Sequence, residues 1–266
     1  MIKHLSSTQN QLIKEILSIK DKSSVRKEKK QFVVEGFREI TMAITSSYEL
    51  EILLFDASII AEEKVIDHFK LPNHKLISVA SPIYKKLAYR SSTEGVIAIV
   101  HSKNHGLKNL DLSMNPLILV MESIEKPGNI GAMLRTADAA GVDAVIMANP
   151  LTDIYNSNII RASLGCLFST QIAIGTTAEV ISFLKKKKIG IYAASLKASQ
   201  SYTSVNYKTP AALAVGAEST GLSQEFESQS TANIVIPMHG KIDSMNVSVS
   251  AAIILFEAVR VRSLNF

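Results

Sequence analysis

The sequence predicts an α/β protein with two domains. Its 266 residues are long for one compact domain and sufficient for two. Hydrophobic residues make up 47% of the chain and charged residues 20%, so the chain can form buried cores and lacks the composition of a disordered protein. Short apolar runs alternate with segments of helical periodicity along most of the chain, which is the pattern of strands and helices in α/β folds.

Residues 1–101 are expected to form the first, small α/β domain. Helix-capping residues at 6–10 precede leucine and isoleucine side chains at helical spacing, which indicates a first helix. Strands are expected at 31–34, 51–55, 75–79 and 96–100. Further helices are expected from 35–39 towards Ser46, at 62–69, and from Ser81, where Pro82 falls at an early position that needs no N–H.

Residues 102–115 are expected to be a linker, because they are polar and lack apolar periodicity. His101 and His105 stand four residues apart, a spacing that could hold a metal ion on a helix, but Gly106 and the polar neighbours argue against a helix. The single cysteine, Cys166, excludes an internal disulfide and a multi-cysteine zinc site, and we expect it in the core. No metal site is therefore predicted.

Residues 116–266 are expected to form the second domain. The continuous apolar run at 117–121 is typical of a strand that is buried on both faces of a parallel sheet. Further strands are expected at 142–148, 168–174, 189–194, 211–215 and 233–236. Helices are expected from a cap at 127–129 to Ala140, with Gly141 as the stop, and at 156–164, 178–187, 223–229 and 247–262.

Three loops of the second domain, at 122–141, 215–223 and 236–248, are rich in glycine and small polar residues. Each includes or follows the end of an apolar strand, and strand ends are where α/β proteins place their sites. Backbone polar groups in such loops need partners when they are buried, and a polar ligand could supply them. The first loop contains only Gly128 and Gly131 and does not match a dinucleotide-binding fingerprint.

Taken in order, these loops resemble the three motifs of the SpoU (TrmH-type) RNA 2′-O-ribose methyltransferases. The matching residues are Asn129, Gly131, Arg135, Ala137, Ala139 and Gly141, then Gly216, Glu218 and Gly221, then Ile236, Pro237, Met238, Gly240, Ser244, Asn246, Val247 and Ser248. The resemblance implies an N-terminal RNA-binding domain and a C-terminal SPOUT-type methyltransferase domain. That second domain would contain a trefoil knot whose loops hold S-adenosylmethionine (AdoMet). The resemblance also implies a homodimer in which the final helices of the two chains pack together.

The resemblance implies catalytic positions at Asn129, Arg135, Glu218, Ser244 and Asn246, and AdoMet contacts at Ser195, Leu196, Gly216, Gly221, Ile236, Met238 and Met245. Arg135 is expected to bind a phosphate and stabilise a developing alkoxide, because a guanidinium stays protonated. Ser244 and Asn246 would orient Arg135, the ribose or the cofactor, and Glu218 would fix Arg135 or bind the nucleotide. Gly216 and Gly240 would let backbone approach a ligand closely.

Structural alternatives exist for each of these residues taken singly. Arg135 could pair with Asp138 on the helix surface, Asn129 could be a helix N-cap, and Ser244 and Asn246 could cap the last helix. Met245 also stands where leucine is frequent in the family, and residues 217–220 depart from the usual run. Their joint occurrence in three ordered motifs favours the functional interpretation.

RNA contacts in the first domain are expected from the following basic residues: Lys27, Lys29, Lys30, Arg38 and Arg90. The net charge of +5 permits nucleic acid binding. The alternatives are a solvated helix end for the lysines and surface ion pairs for the two arginines.

The resulting prediction is an enzyme that methylates a ribose 2′-hydroxyl of RNA, with ribosomal RNA as the expected substrate and no DNA partner. A tRNA substrate is one alternative, and a non-catalytic RNA-binding or ribosome-assembly factor on the same scaffold is another. No apolar run approaches the roughly 18 residues of a membrane span, and residues 1–10 lack the apolar core of a signal peptide. A cytoplasmic protein without a membrane partner is therefore expected.

Overall fold

The computed structural model describes residues 2–89 and 94–263 and confirms the α/β fold class. Up to residue 103, strands and helices alternate after an initial short strand and two helices. These elements are β1 (Lys3–Leu5), α1 (Gln11–Asp21), α2 (Ser23–Lys29), β2 (Gln31–Glu35), α3 (Phe37–Thr45), β3 (Leu50–Phe55), α4 (Glu62–Phe69), β4 (Leu76–Val79), α5 (Ser81–Leu87) and β5 (Val96–His101). The helices and strands expected in this part of the chain are present within a few residues of their expected bounds.

The rest of the chain continues the alternation. Its elements are β6 (Leu117–Glu122), α6 (Pro127–Ala140), β7 (Ala144–Ala148), α7 (Ser157–Ala162), α8 (Cys166–Ser169), β8 (Ile172–Gly175), α9 (Thr177–Lys186), β9 (Gly190–Ala194), β10 (Gln200–Ser201), β11 (Ala211–Val215), α10 (Gln224–Gln229), β12 (Ala232–Val235) and α11 (Val247–Ser263). Across the described ranges, we find no helix with the length and hydropathy that crossing a membrane would require.

The chain divides into two compact units, and the first of them takes in a segment from the middle of the sequence. The first unit comprises Met1–Lys103 and Asp153–Ser169, and the second comprises Asn104–Thr152 and Thr170–Phe266. The sequence placed 153–169 with the second domain. In the structure, the Phe32 ring of β2 stacks on Tyr155 with 4.0 Å between centroids, and on Phe168 with 6.1 Å between centroids. Tyr155 and Phe168 therefore pack on a strand of the first unit, to which residues 153–169 belong.

The same packing explains why one strand differs from its expected bounds. The strand expected at 168–174 begins four residues later, at Ile172, because Phe168 lies in α8 with its ring against Phe32 and Tyr48. Gly165, with φ +87°, ends the turn between α7 and α8, and a Cβ there would lie 2.6 Å from the sulfur of Met42. The short helix α8 therefore includes Phe168 and Ser169, the first two residues of the expected strand.

The first unit is built around a five-stranded sheet in the order β1-β4-β3-β5-β2. Strands β1, β4 and β3 are parallel, and β5 runs antiparallel to both of its neighbours, β3 and β2. Helix α1 buries Ile13, Ile16 and Ile19 against one face, each at most 1% exposed. The helical spacing of these side chains is what gives α1 its apolar face.

The second unit contains a parallel sheet in the order β10-β12-β9-β11-β6-β7-β8. Strands β6, β7 and β11 are buried along their whole length, as their continuous apolar sequences predicted. From β6 the sheet grows through β7 and β8 on one side, and through β11, β9 and β12 on the other. The carboxyl ends of parallel strands share one edge, and open sheets of this kind generally bind ligands at that edge, near the point where the strand order reverses.

The segment expected to be a linker is ordered along β8. The Ile174 N–H donates to the His105 carbonyl oxygen at 2.7 Å, and Leu107–Asn109 forms a single 3₁₀ turn. His101 lies in β5 of the first unit, where its ring is 2.9 Å from Glu51 Oε2. In the described part of the chain there is no group of three or more histidine, cysteine or acidic residues that could hold a metal ion.

Candidate active site

The loops that follow β6, β9, β11 and β12 lie at the carboxyl edge of the parallel sheet. The loops after β9, β11 and β12 line a cavity of about 560 Å³ within the second unit. Lys126, from the loop after β6, also lines this cavity. All residues predicted to contact AdoMet line this cavity: Ser195, Leu196, Gly216, Gly221, Ile236, Met238 and Met245. Among the predicted catalytic residues, Glu218, Ser244 and Asn246 line it as well. The sequence therefore located residues that the fold brings together from loops far apart in the chain.

Hydrogen bonds between side chains connect the three motifs. Asn246 donates from Nδ2 to Asn129 Oδ1 at 3.2 Å, and Asn129 donates from its own Nδ2 to Glu218 Oε1. Helix α6 begins at Pro127 after Lys126 at the N-cap, so Asn129 lies in the first turn and is not the N-cap. Its amide is thus free to bridge the second and third motifs.

Glu218 has a second partner that the sequence did not identify. Its Oε2 accepts from Lys126 Nζ, and this ion pair lies at the rim of the cavity. The expected link from Glu218 to Arg135 is absent between these two described residues, since both carboxylate oxygens are engaged by Lys126 and Asn129. No local sequence signal identifies this pair, because the two residues are 92 positions apart.

Arg135 lies further along α6 with an exposed side chain. Within residues 2–89 and 94–263 it forms no hydrogen bond or ion pair, and neither Ser244 nor Asn246 orients it. Asn246 instead caps α11, since its Oδ1 accepts from the Ser248 N–H at 2.9 Å and from Ser248 Oγ at 2.6 Å. The capping alternative for Asn246 is therefore correct and coexists with its bond to Asn129. Ser244 is exposed at the cavity wall.

Gly216 is required by the loop itself. A Cβ atom there would lie 2.2 Å from the carbonyl carbon and oxygen of Gly221 and 2.3 Å from the Leu222 nitrogen. The loop closes through the Gly221 N–H, which donates to the Ala217 carbonyl oxygen at 2.8 Å, with Gly221 at φ +70°. The close approach expected between Gly216 and a ligand is thus made by neighbouring backbone. A Cβ at Gly240 would meet nothing within 4 Å.

Two family models match the chain in succession. The model described as the SpoU rRNA Methylase family matches residues 116–256, somewhat more than half of the chain. The chain belongs to the SpoU rRNA methylase family. The model of the MRM3-like substrate binding domain matches residues 10–98 in front of it.

Relatives and solved structures agree with this membership. The chain is 25% identical over 260 residues to the 23S rRNA (guanosine(2553)-2'-O)-methyltransferase RlmP of Bacillus subtilis, covering 96% of this chain and 98% of that protein. It is 32% identical over 176 residues to the 23S rRNA (guanosine-2'-O-)-methyltransferase RlmB of Ralstonia nicotianae, covering 64% and 70%. A crystal structure of an RNA 2'-O ribose methyltransferase matches with TM-score 0.84 at 36% identity, covering 97% and 99%. The AdoMet-bound rRNA methyltransferase of Sinorhizobium meliloti matches with TM-score 0.89 at 26% identity, covering 97% and 98%.

Glu122, at the end of β6 in this SpoU methylase, holds the edge of the sheet together. It is 3% exposed and accepts hydrogen bonds from Thr177 Oγ1 at 2.5 Å, Ser223 N at 2.7 Å and Ser223 Oγ at 2.8 Å. Ser223 in turn caps α10 through the Phe226 N–H at 3.2 Å. A charged residue directly after a continuous apolar run was the sequence signal for this buried carboxylate.

Of the residues predicted to contact RNA, the four that the structure describes lie on α2, at its C-cap and on α3. Lys27, Lys29 and Lys30 are exposed on α2 and at its C-cap, and Lys29 pairs with Glu15. Arg38 is exposed in the first turn of α3. Arg90 lies outside the described residues.

Proposed function

We propose that this protein transfers a methyl group from AdoMet to a ribose 2′-hydroxyl of ribosomal RNA. The observation that carries the proposal is the hydrogen-bonded series from Asn246 through Asn129 to Glu218, which joins the three motifs at the edge of one cavity. An ordinary cap or surface carboxylate would not require side chains from three separate loops to meet. RlmP, which matches 96% of the chain, is named as a 23S rRNA methyltransferase, and this supports the substrate class.

The cavity suits AdoMet in size and chemistry. Its volume of about 560 Å³ falls within the range of small-molecule sites. Leu196, Ile236 and Met245 offer an apolar surface for adenine, and Ser195 and Asn246 add polar groups. When bound, AdoMet supplies an electrophilic methyl group carried on a sulfonium. We propose contacts to it from the whole predicted set, Ser195, Leu196, Gly216, Gly221, Ile236, Met238 and Met245.

The proposed catalytic side chains have two different roles: some hold the loops in place, and one cation contacts the substrate. Asn129, Glu218 and Asn246 hold one another, and so fix the loops that border the cavity. Arg135 is unpaired within the described chain, so its guanidinium can bind the phosphate next to the target ribose and stabilise negative charge developing on the 2′-oxygen. Ser244 would hydrogen-bond the ribose or the cofactor. Both Glu218 oxygens already accept bonds, which favours the RNA phosphate or water as the acceptor of the hydroxyl proton.

Ribosomal RNA is favoured over tRNA as the substrate, because relatives named for rRNA match a larger share of this chain than the tRNA-modifying enzyme does. The TrmH/SpoU tRNA modifying enzyme of A. aeolicus matches only 59% of this chain, with a TM-score of 0.50. RlmP of Bacillus subtilis and the 23S rRNA (uridine(2479)-2'-O)-methyltransferase of Streptomyces viridochromogenes match 96% and 87% of the chain. We infer that the first unit contributes to the choice of RNA, as a substrate-binding domain.

The decisive test is methyl transfer from radiolabelled AdoMet into RNA from cells that lack this protein, followed by separation of rRNA and tRNA and nucleoside analysis. Label in a 2′-O-methyl nucleotide of rRNA is the expected result. Label confined to tRNA would retain the reaction and change the substrate. AdoMet binding without label in naked RNA or in ribosomal subunits would point to the non-catalytic RNA-binding or ribosome-assembly factor.

We also propose a cytoplasmic homodimer and a trefoil knot in the second unit. Helix α11 exposes Val249 at 47% and Phe256 at 48%, seven residues apart and therefore on one face, while Ile254 and Leu255 are buried. Two such faces packed together would cover these apolar side chains. Sedimentation of the purified protein at the mass of one chain would contradict the dimer.

Replacing Gly216 with alanine is expected to weaken AdoMet binding at least tenfold. The added methyl group would collide with the Gly221 backbone, so the loop would have to open and its cavity wall would move. Isothermal titration with AdoMet measures the effect. Gly240→Ala is the matched control, because its methyl group meets nothing within 4 Å. Equal affinities of the two variants would remove the Gly216 loop from the cofactor site.

Reversing the charges of Lys27, Lys29 and Lys30 to glutamate is expected to weaken RNA binding and to flatten its salt dependence. Three lost phosphate contacts would reduce the slope of log affinity against log salt by roughly 2. The same reversal at Lys64, Lys70 and Lys86, exposed lysines of the first unit outside this segment, controls for net charge. If the two triple variants show the same slope, the segment is a solvated helix end.

A further inference from the structure

The first unit contains a cavity of about 280 Å³ that the methyl-transfer residues do not use. Its walls include Glu35 from the end of β2, Arg38 from α3, and Tyr89 from beyond α5. Lys20 of α1 and Arg161 of α7 add basic groups, and Glu39, Glu94 and Ser157 add further polar groups. Arg161 belongs to the segment that joins the first unit from the middle of the chain. We call this space the Glu35 cavity.

Glu35 has one carboxylate oxygen in need of a partner. Its Oε2 accepts from the Tyr89 N–H at 2.6 Å. Its Oε1 is buried, and nothing in residues 2–89 or 94–263 donates a hydrogen bond to it. A buried carboxylate oxygen without a donor is costly, so this oxygen needs an N–H or O–H group beyond those of the described residues.

Tyr89 and Arg161 provide a flat surface beside this carboxylate. The Tyr89 side chain is 46% exposed, and the Arg161 guanidinium carbon lies 5.2 Å from its ring centroid. Lys20 Nζ is 5.5 Å from the same centroid and is held by the Leu87 carbonyl oxygen at 2.7 Å. Unpaired RNA bases stack on aromatic rings and on guanidinium planes, and cations at a rim attract the phosphates. Arg38 is exposed at this cavity and can bind the RNA phosphates.

We propose that the Glu35 cavity binds an unpaired guanine base of the RNA substrate. Guanine carries two adjacent donors on its Watson–Crick edge, the N1–H and the N2 amino group, and an ionised carboxylate is an acceptor for both. Adenine and cytosine place an acceptor nitrogen beside their amino donor, and uracil flanks its single donor with two carbonyl oxygens, so each would set a lone pair against Glu35. The proposal rests on RNA being the substrate and adds a base preference read by the first unit.

The test compares two fluorescently labelled oligouridine strands, one with a single guanosine and one with inosine at that position. Inosine differs from guanosine only by lacking the N2 amino group. In fluorescence anisotropy titrations the wild-type protein is expected to bind the guanosine strand about tenfold more tightly, because a charged hydrogen bond is lost with inosine. Glu35→Gln keeps an oxygen for the Tyr89 N–H and should reduce the preference to within about twofold. Tyr89→Leu should weaken binding of both strands, and Glu63→Gln, at an exposed glutamate of α4, should change neither.

Equal binding of the two strands by the wild type would overturn the proposal, and so would a preference that Glu35→Gln leaves intact. AdoMet affinity and methylation of rRNA are measured on the same samples. Methylation without a guanosine preference would defeat this inference alone. A guanosine preference in a protein that methylates no RNA would defeat the proposed function and leave the Glu35 cavity as a base-binding site.

Discussion

Replacing Arg135 with alanine is expected to slow methyl transfer by roughly 100- to 1,000-fold while AdoMet affinity stays unchanged. The side chain is exposed, makes no bond within the described residues and does not line the cavity, so its removal leaves the fold and the cofactor site intact. What is lost is a cation placed to bind phosphate and offset charge on the 2′-oxygen. Single-turnover rates with rRNA, together with calorimetric titration of AdoMet, separate the two effects.

Arg135→Lys and Lys187→Ala control for this result. Lysine keeps the charge but lacks the planar fork, so we expect a rate between those of the wild type and Arg135→Ala. Lys187, at the end of α9, is exposed and outside the cavity, so its loss tests for a general effect of removing a cation. Turnover of Arg135→Ala within twofold of the wild type would show that the catalytic assignment is wrong.

The sequence predicted that most residues of the candidate site lie together, because the motifs follow parallel strands, whose carboxyl ends share one edge of the sheet. Asn129, Glu218 and Asn246 were expected in one site, and the structure joins them by hydrogen bonds. Lys126 was missed because its partner Glu218 is 92 residues away, and no local pattern announces a pair at that separation. For the same reason, Arg135 was expected as a partner of Glu218, whereas the structure pairs Glu218 with Lys126.

The fold was predictable where periodicity is strong and local. The runs that form β6 and β11 are apolar throughout, and both strands are buried as expected. The edge strands β1 and β10 were not expected, since three and two residues are too few to show alternation. The strand expected at 168–174 overlapped the last two residues of α8, because Phe168 is apolar in either conformation and only its contacts with Phe32 and Tyr48 decide between them.

The position of residues 153–169 in the first unit depends on contacts that a linear pattern does not contain. They follow β7 and precede β8 in the chain, so continuity assigns them to the second domain. Their aromatic rings and Asp153 find partners in α2, β2 and the residues after α3. One of these contacts, the ion pair of Asp153 with Arg26, carries the largest stability effect that we predict.

Replacing Asp153 with alanine is expected to destabilise the first unit by about 3–5 kcal/mol. Arg26 Nε lies 2.6 Å from Asp153 Oδ2, and the two side chains are only 7% and 11% exposed. Arg26 Nη1 also donates to the carbonyl oxygens of Ile19 and Lys20, so the guanidinium is held in place and cannot reach water when its partner is lost. Urea unfolding followed by far-ultraviolet circular dichroism measures the loss in the transition of the first unit.

The exposed ion pair of the same unit supplies the control. Lys29 and Glu15 are 40% and 35% exposed, so Lys29→Ala should cost at most about 1 kcal/mol. The double variant Arg26→Met with Asp153→Leu should regain most of the stability lost in Asp153→Ala, because it buries apolar groups in place of an unpaired charge. Equal losses in Asp153→Ala and Lys29→Ala would contradict the assignment. In that case the aromatic stacking of Tyr155 and Phe168 on Phe32, and not the ion pair, would account for the attachment of residues 153–169 to the first unit.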